Sequence, residues 1–321
     1  MSRIVSLGSA LEDIFLIDRD DFVASTIGST SIFGKLEIGS KVDIDKLSYE
    51  IGGGGTNAAV AFARFGHESI FLGNIGRDSA GEAVLAFLDS ENVDTSYISI
   101  VKSPTGCSVI LLDIRSGERT ILTHRGASSK FQNLNPADLE TIHPDWLYVS
   151  SIRGDMDTLL AFFETAKSLD CKIMFNPGTL ELTHLDQLLG LLPCVDILLV
   201  NKSEAAKIVP GKVLSELLSH LKNYVKTAII TDGSMGGIAT DGSDTIRFGI
   251  YEDIKVKDTT GAGDAFGAGF LAAYAAKKSF KDSLRFGSAN STSVIRYIGA
   301  KKGLLTSREK LHEMPMQKVD Q

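Results

Sequence analysis

Apolar segments of two kinds alternate along the chain. Residues 3–8 and 69–74 are short apolar runs typical of buried strands, whereas residues 58–65 and 80–90 have the longer spacing of amphipathic helices. Further strand and helix candidates continue the alternation, and they are residues 158–168, 171–175, 185–192, 197–200 and 213–225. Short strands that alternate with helices of roughly 10 to 15 residues predict an α/β fold with a doubly wound, mainly parallel sheet flanked by helices.

Two segments interrupt this alternation. Residues 33–51 and 106–123 contain strand-like runs that no helix follows, and the second includes residues 115–118 (RSGE), a sequence typical of a hairpin turn. We interpret both segments as parts of a small β-sheet lid inserted into the core. Extra antiparallel strands at the edge of the main sheet are the alternative.

This interpretation divides the chain into three parts. The α/β core comprises residues 1–13, 52–97 and 125–310, and the lid comprises residues 14–51 and 98–124. Residues 311–321 are predicted to form a polar tail at the surface.

The composition is that of an ordinary globular chain. Its 321 residues are 43% hydrophobic and 23% charged, which excludes a disordered, collagen-like or coiled-coil protein. The net charge of −7, from 33 Lys and Arg against 40 Asp and Glu, makes nucleic acids and anionic membranes poor partners. Cys107, Cys171 and Cys194 form no CxxC pair, and no apolar stretch has the length of a membrane span. We therefore expect a cytoplasmic protein with reduced thiols.

The segment 258–270 (DTTGAGDAFGAGF) carries the strongest candidate chemistry. Small residues precede an apolar helix predicted to extend to about residue 276, and they leave backbone N–H groups accessible at its start. Such a helix start suits an anion, a phosphate group in particular. Asp264 in the first turn is either a helix-capping carboxylate or a catalytic base beside a phosphate site, and spacing alone does not decide between them.

Two segments resemble the signatures of the PfkB (ribokinase-like) family of carbohydrate kinases. Residues 258–270 are similar to its carboxyl-terminal signature, and residues 53–59 (GGGTNAA), followed by Gly66 and Gly76, are similar to its amino-terminal one. The two lie about 200 residues apart in the expected order, so the resemblance extends over nearly the whole chain. It implies a mainly parallel sheet flanked by helices, with a β-sheet lid built from the two interrupting segments.

The resemblance also implies an ATP-dependent kinase that transfers the γ-phosphate to a hydroxyl group of a small sugar or sugar-like acceptor. Asp264 would accept the proton of the attacking hydroxyl group as general base. The amides that would stabilise the transferred group are those of Gly261, Ala262 and Gly263. The residues that would bind the acceptor are Asp13, Gly53, Gly54, Asn57 and Asp264.

The nucleotide and cation sites implied by the resemblance involve further residues. Residues 201–204 (NKSE) are similar to the family's Asn-x-x-Glu motif, which implies that Asn201 and Glu204 organise Mg²⁺, largely through water. The residues that would contact ATP are Asn201, Thr231, Gly233, Ser234, Gly236 and Gly263. The residues that would hold a monovalent cation such as K⁺ are Asp258, Thr260 and Gly299.

Each of these segments also has a purely structural interpretation. Residues 201–204 are then the polar start of a helix, residues 231–237 a hairpin turn and residues 53–59 a tight strand-to-helix connection. Asp13 is a turn residue at the end of a strand, and Asp258 satisfies the amides of its own turn.

The sequence departs from the ribokinases of the family at positions that bind the sugar. Leu11 and Gly54 stand where ribokinases have Asn and Lys, and residues 150–151 (SS) stand near the place where an acidic residue ends the middle strand. D-ribose is therefore not supported as the acceptor.

Other functions make different demands on the sequence. A nucleoside kinase of the same family would need an apolar slot for the base, which Phe33, Ile38 or Ile110 of the lid would supply. A catalytically silent sugar sensor is disfavoured because Asp264 and its Gly-Ala-Gly approach are intact, and a dehydrogenase because no GxGxxG follows the first strand. The open strand edges of the lid favour a homodimer formed through it.

Overall fold

The computed structural model describes residues 1–18, 24–26, 32–34, 39, 41, 43–44, 46–113, 119–252 and 254–319. Within these residues the strands, in chain order, are β1 (Arg3–Leu7), β2 (Leu11–Asp18), β3 (Ala24–Thr26), β4 (Ile32–Gly34), β5 (Lys46–Gly52), β6 (Glu68–Gly76), β7 (Val93–Asp94), β8 (Ile98–Val101), β9 (Gly106–Asp113), β10 (Arg119–His124), β11 (Trp146–Val149), β12 (Lys172–Phe175), β13 (Ile197–Asn201), β14 (Thr227–Thr231), β15 (Gly237–Thr240), β16 (Thr245–Phe248) and β17 (Met316–Lys318).

The α-helices of the same residues are α1 (Gly54–Phe65), α2 (Ser79–Ser90), α3 (Asp138–Ile142), α4 (Met156–Ser168), α5 (Leu185–Leu191), α6 (Lys202–Ile208), α7 (Leu214–Leu221), α8 (Ala262–Ala275) and α9 (Phe280–Val294). In the described part of the chain, no helix combines the length and the apolar character that crossing a membrane requires.

Eleven of the described strands form the main sheet. Their order is β17-β16-β15-β14-β13-β12-β11-β1-β6-β7, and β8 pairs with the second half of β6 beside β7. Neighbours from β7 to β14 are parallel, whereas β15, β16 and β17 are antiparallel. The predicted α/β fold with a mainly parallel sheet is confirmed.

Both faces of the main sheet are covered, which explains why its strands are continuous apolar runs. Val5 and Leu7 of β1 belong to one hydrophobic cluster, and Ile4 belongs to the other, because successive side chains of a strand point to opposite faces. The first cluster includes buried residues of α4, α5 and α7, and the second includes those of α1, α8 and α9. A strand buried on both faces has no alternation of polar and apolar residues.

Helix α1 begins four residues earlier than the predicted segment 58–65. Gly53, which precedes it, has a φ of +98°. A Cβ on Gly55 would lie 2.8 Å from the backbone of Gly8 and 2.7 Å from the ring of Phe71. The low helix propensity of glycine predicts a later start, but the close packing of α1 against β1 requires residues without side chains in the first turn.

A separate four-stranded sheet has the order β10-β9-β2-β5. β2 and β9 are parallel, and the other neighbours are antiparallel. This lid sheet has its own small core, formed by Phe15, Ile17, Ile110 and Leu112. The alternative in which these strands extend the main sheet is therefore wrong. The predicted turn at residues 115–118 lies outside the described residues.

Three strands lie elsewhere than the sequence division places them. β2 begins at Leu11, so Asp13 belongs to the lid sheet rather than to the core. β8 pairs with β6 in the main sheet, although the predicted lid includes its residues. The predicted polar tail contains β17, which pairs with β16. β8 and β17, with four and three residues, are too short to show a period in the sequence.

The first hydrophobic cluster can be tested at Phe163 of α4. This residue is buried, and its ring packs edge-on against Phe175 with 5.4 Å between centroids. Phe163→Ala is expected to lower the free energy of unfolding by about 3–5 kcal/mol, because a packed core fills the resulting cavity only in part. Urea denaturation measures the loss. Leu160→Ala, at an exposed position of the same helix, is the control and should cost less than about 1 kcal/mol. Equal losses would contradict this orientation of α4.

Candidate active site

Two cavities lie at the carboxyl ends of the parallel strands, where doubly wound sheets bind their ligands. The first cavity, of about 440 Å³, is lined by residues that follow β1, β11 and β12 and by residues of β2, β9 and β10. It therefore lies between the lid sheet and the main sheet. The second cavity, of about 550 Å³, is lined by residues between β14 and β15, by residues that follow β16 and by residues of α8 and α9.

The start of α8 separates the two cavities. Thr260 and Gly261 line the first cavity, and Ala262 and Gly263 line the second. Gly261 precedes the helix with a φ of +74°, and no side chain caps the helix there. The amide of Ala262 donates to the carbonyl of Thr259 at 3.3 Å, so this predicted anion donor is engaged in the turn. The amides of Gly263 and Asp264 have no acceptor among the described residues, and they are available to an anion placed between the cavities.

Asp264 lies half-buried in the first turn of α8 and lines the first cavity. Its Oδ2 accepts a hydrogen bond of 2.8 Å from Nδ2 of Asn57 in α1. Burial raises the pKa of the Asp264 carboxyl, an effect that the Asn57 hydrogen bond and the charge of Lys301 oppose. The carboxylate contacts Asn57, and no side-chain capping bond is present at the start of α8. The role of Asp264 as a base stays a prediction.

Lys301 is a buried cation that the sequence analysis missed. Its Nζ donates hydrogen bonds to Oδ1 of Asn57 at 2.6 Å, to Oγ1 of Thr56 at 3.0 Å and to the carbonyl of Ile51 at 2.5 Å. Burial lowers the pKa of Lys301 to about 7, although the carboxylates of Asp13 and Asp264 oppose the shift. Two adjacent lysines near the end of a chain are typical of a solvated surface, so no local signal in the sequence identifies Lys301 as buried.

The residues predicted to bind the acceptor, which are Asp13, Gly53, Gly54, Asn57 and Asp264, all line the first cavity. Asp13 is buried in β2 opposite Ser108 of β9. Burial raises the pKa of the Asp13 carboxyl, and a hydrogen bond with Ser108 and the charge of Lys301 oppose this shift. A Cβ on Gly54 would lie 3.4 Å from Oδ1 of Asp264, so the glycine keeps the approach to this carboxylate open.

Most of the residues predicted to contact ATP line the second cavity, and they are Thr231, Gly233, Ser234, Gly236 and Gly263. The structural alternative for residues 231–237 is a hairpin turn, and β14 and β15 do pair antiparallel across them. The two descriptions are compatible, because a turn built from small residues leaves its backbone accessible.

Asn201 and Glu204 are engaged with each other at the start of α6. Oδ1 of Asn201 accepts from the Glu204 amide at 2.9 Å, and Oε2 of Glu204 accepts from the Asn201 amide at 2.8 Å, which is a capping box. Asn201 lines neither cavity, whereas Glu204 lines the first, and burial raises the pKa of its carboxyl. The contacts present are those of the polar helix start. The role of both residues toward Mg²⁺ stays a prediction.

Asp258, Thr260 and Gly299 lie together. Oδ1 of the buried Asp258 accepts from the amide and the hydroxyl group of Thr260 at 2.9 and 2.6 Å, and Oδ2 accepts from the Gly299 amide at 3.1 Å. Arg119 of the lid strand β10 lies 3.8 Å from Asp258 and donates to the hydroxyl group of Thr259. Asp258 therefore satisfies its turn and ties the lid sheet to it. Across the described residues, no three His, Cys, Asp or Glu side chains form a cluster suited to a metal ion.

Glu181 is a second functional candidate that the sequence analysis missed. It is fully buried, and Oε1 accepts from the amides of Ile152 and Gly154 at 2.8 and 2.9 Å. Oε2 accepts from the amide of Gly178 at 2.9 Å and from the hydroxyl group of Ser151 at 2.8 Å. This carboxylate therefore holds the loop that follows β11 in one conformation.

Two arginines also line the first cavity without having been anticipated. Arg125 follows β10, and Arg153 lies in the loop that Glu181 holds. In both cases a glycine follows the arginine, since Gly126 and Gly154 are the next residues. An Arg-Gly pair shortly after a strand is the one sequence signal that these positions share.

Comparison with known proteins identifies relatives of this chain. The sequence model described as "pfkB family carbohydrate kinase" matches residues 2–307. A ribokinase of Haemophilus influenzae is 29% identical over 276 residues, which cover 82% of this chain and 88% of that protein. An ATP-dependent 6-phosphofructokinase of Thermoanaerobacterium thermosaccharolyticum is 26% identical over 303 residues, covering 90% and 92%. The crystal structure of a nucleoside kinase of Methanocaldococcus jannaschii, described as an archaeal member of the ribokinase family, superposes with a TM-score of 0.77 at 23% identity over 96% of each chain.

Gly261 and Gly263 provide a matched pair of substitutions at the start of α8. A Cβ at position 261 would lie 2.3 Å from Cβ of Ala300 at a φ of +74°, whereas a Cβ at position 263 would meet nothing within 4 Å. Gly261→Ala is therefore expected to lower the free energy of unfolding by at least about 2 kcal/mol, and Gly263→Ala to change it by less than about 1 kcal/mol. Thermal unfolding of both variants checks this, and similar values for the two would contradict the backbone geometry of this turn.

Lys301 is expected to make stability depend on pH. Between its folded pKa of about 7 and its ordinary value of 10.5, the unfolded chain binds a proton that the folded chain does not. The free energy of unfolding should therefore rise with pH across this window relative to Lys301→Met, in which the side chain cannot titrate. Urea denaturation of both proteins from pH 6.5 to 9.5 measures the difference. Lys302→Met controls for the loss of a lysine charge at this end of the chain, and a difference that stays flat or falls would contradict the burial of the Lys301 ammonium.

Proposed function

This chain belongs to the pfkB family of carbohydrate kinases, and from this premise we propose that it transfers the γ-phosphate of ATP to a hydroxyl group of a small sugar or sugar-like acceptor in the first cavity. Membership makes it a phosphotransferase with an alcohol group as acceptor. The observation that carries the proposal is the position of Asp264, in the first turn of an uncapped helix that separates two cavities.

The character of the second cavity supports a nucleotide there. Its walls carry apolar side chains suited to a flat base, which are Phe248, Ile250, Val256, Phe266 and Ile295. Gly233, Gly236 and Gly263 also line this cavity and leave their backbone accessible. The N–H groups at the start of α8 are then directed at the phosphates, where they stabilise the charge of the transferred group.

Asp264 is proposed to act as the general base. Its carboxylate takes the proton of the acceptor hydroxyl group while that oxygen attacks phosphorus and the bond to the leaving ADP oxygen breaks. A pKa raised by burial makes the carboxylate a better proton acceptor. Asn57 orients this carboxylate through its amide, and Lys301 in turn holds the Asn57 carbonyl oxygen.

Mg²⁺ is proposed to neutralise phosphate charge when bound beside Asn201 and Glu204. The capping box uses Oδ1 of Asn201 and Oε2 of Glu204, which fits contacts to the ion through water better than direct ligation. K⁺ is proposed to bind beside Asp258, Thr260 and Gly299. The Asp258 carboxylate already accepts hydrogen bonds from three N–H or O–H donors, which leaves it less available to the ion.

A nucleoside acceptor is the alternative within the same family. Ile110 lines the first cavity beside Leu11 and Ile121, so an apolar wall is present. The side chain of Phe33 and all of Ile38 lie outside the described residues. The homodimer through the lid also stays a proposal, and it is supported by the exposed Leu47, Tyr49 and Leu122 on the two edge strands of the lid sheet.

Asp264→Asn tests the proposed reaction. We expect kcat to fall by at least about 10²- to 10⁴-fold with ATP affinity retained, because the substitution removes the proton acceptor and preserves the shape. Steady-state kinetics with ATP, Mg²⁺ and a panel of sugars, sugar phosphates and nucleosides measures turnover, and calorimetry measures nucleotide binding. Asp157→Asn, at an exposed position of α4, is the matched control. Turnover within a few-fold of the unaltered protein would remove Asp264 from the mechanism.

A further inference from the structure

The guanidinium groups of Arg125 and Arg153 line the first cavity without protein partners. Neither makes a hydrogen bond or a salt bridge to any residue that the structure describes, and neither has a buried unpaired nitrogen. Their donors therefore open on the cavity. By contrast, Arg64 pairs with Glu91 at 2.5 Å and Arg285 with Glu313 at 2.9 Å.

The backbone holds Arg153 in an unfavourable conformation. Its φ of +65° lies in the left-handed region, which costs a side-chain-bearing residue about 1–2 kcal/mol. Glu181 fixes the peptide groups on both sides through the amides of Ile152 and Gly154, and the Arg153 amide donates to Ser151 at 3.2 Å. The buried carboxylate of Glu181 thus keeps Arg153 at the cavity. Backbone strain that is maintained in this way is typical of binding sites.

The two arginines act on each other. Burial and the charge of Arg153 lower the pKa of Arg125, and only the carboxylate of Asp13 opposes these effects. Asp13 itself is shared, because Ser108 and Lys301 also interact with it. An anionic group between the two guanidinium groups would offset their repulsion.

Different groups act on Asp264 and on Arg125 in the first cavity. The groups that act on Asp264 are Asn57 and Lys301, whereas those that act on Arg125 are Arg153 and Asp13. Glu204, the other carboxylate on the wall, belongs to the start of α6. An acceptor that brings its hydroxyl group to Asp264 therefore shares the first cavity with this pair of cations.

We propose that the acceptor already carries an anionic group, a phosphate monoester or a carboxylate, which Arg125 and Arg153 bind in the first cavity. This inference rests on the proposed function. The planar guanidinium fork matches the paired oxygens of both groups, and two forks best match the double charge of a phosphate monoester. Neutral sugars and nucleosides carry no anionic group that Arg125 and Arg153 could bind.

The test compares acceptors with and without the charge. Fructose 6-phosphate, ribose 5-phosphate and glucose 6-phosphate form the phosphate arm, gluconate the carboxylate arm, and fructose, ribose, glucose and adenosine the neutral arm. We expect kcat/KM for one of the anionic arms to exceed that for the neutral arm by at least about a hundredfold, because neutral acceptors leave both guanidinium groups unpaired. The arm that is preferred identifies the source of the charge.

Variants assign the preference to the arginines. Arg125→Gln and Arg153→Gln are each expected to raise KM for the preferred anionic acceptor by about ten- to a hundredfold, with little change in kcat or in KM for ATP. Arg125→Lys and Arg153→Lys keep the charge without the fork and should lose less, and their thermal unfolding shows whether each variant folds. Arg247→Gln, at an exposed position of β16 that lines neither cavity, is the matched control.

The outcomes separate this inference from the proposed function. Turnover of neutral acceptors as efficient as that of anionic ones, or unchanged by the glutamine substitutions, would overturn the inference and leave the kinase intact. Turnover of no acceptor would contradict the proposed function, and calorimetry with the sugar phosphates and gluconate in the absence of ATP then decides the inference. The inference is supported if the anionic compounds bind and if Arg125→Gln and Arg153→Gln each weaken this binding tenfold or more. The absence of such binding overturns the inference.

Discussion

The hydrogen bond of 2.8 Å between Asn57 and Asp264 joins the first turns of α1 and α8, two helices whose contacting residues are 207 positions apart in the chain. The geometry of the site depends on this bond. It holds the Asp264 carboxylate at the first cavity, and because Lys301 holds the other end of the Asn57 amide at 2.6 Å, the amide cannot rotate without losing both contacts. Both bonds are shielded from water, because Lys301 on one side and the carboxylate of Asp264 on the other are desolvated.

Glycines shape the starts of both helices. Gly53 and Gly261 turn the chain into α1 and α8 with positive φ values of +98° and +74°, and Gly55 lies against the backbone of Gly8. The same residues that predict phosphate chemistry in the sequence are therefore required by packing as well. Their packing role explains why the first turn of α8 is uncapped, since a capping side chain at position 261 would collide with Ala300.

The lid sheet contributes charge to the site as well as cover. Arg119, at the start of β10, contacts the turn of Asp258, and Asp13 of β2 lines the first cavity. Arg125, which follows the end of β10, also lines the first cavity. Movement of this sheet relative to the core would therefore change the electrostatics of the cavity and the access of water together. In a kinase both matter, because water competes with the acceptor for the phosphoryl group.

The sequence by itself determined the alternation of strands and helices, the separate β-sheet and the two glycine-rich turns, because each depends on a local period or on residues next to one another. It also identified Asp13, Asn57 and Asp264, through the resemblance of their segments to family signatures. Only the tertiary structure brought Lys301 to Asn57, Glu181 to the loop of Arg153, and Arg125 and Arg153 to one cavity. These contacts join residues that are from 27 to 244 positions apart. Hydrophobic periodicity records which face of an element is buried, but the crossovers between strands decide which charged side chains meet, and no local pattern records that choice.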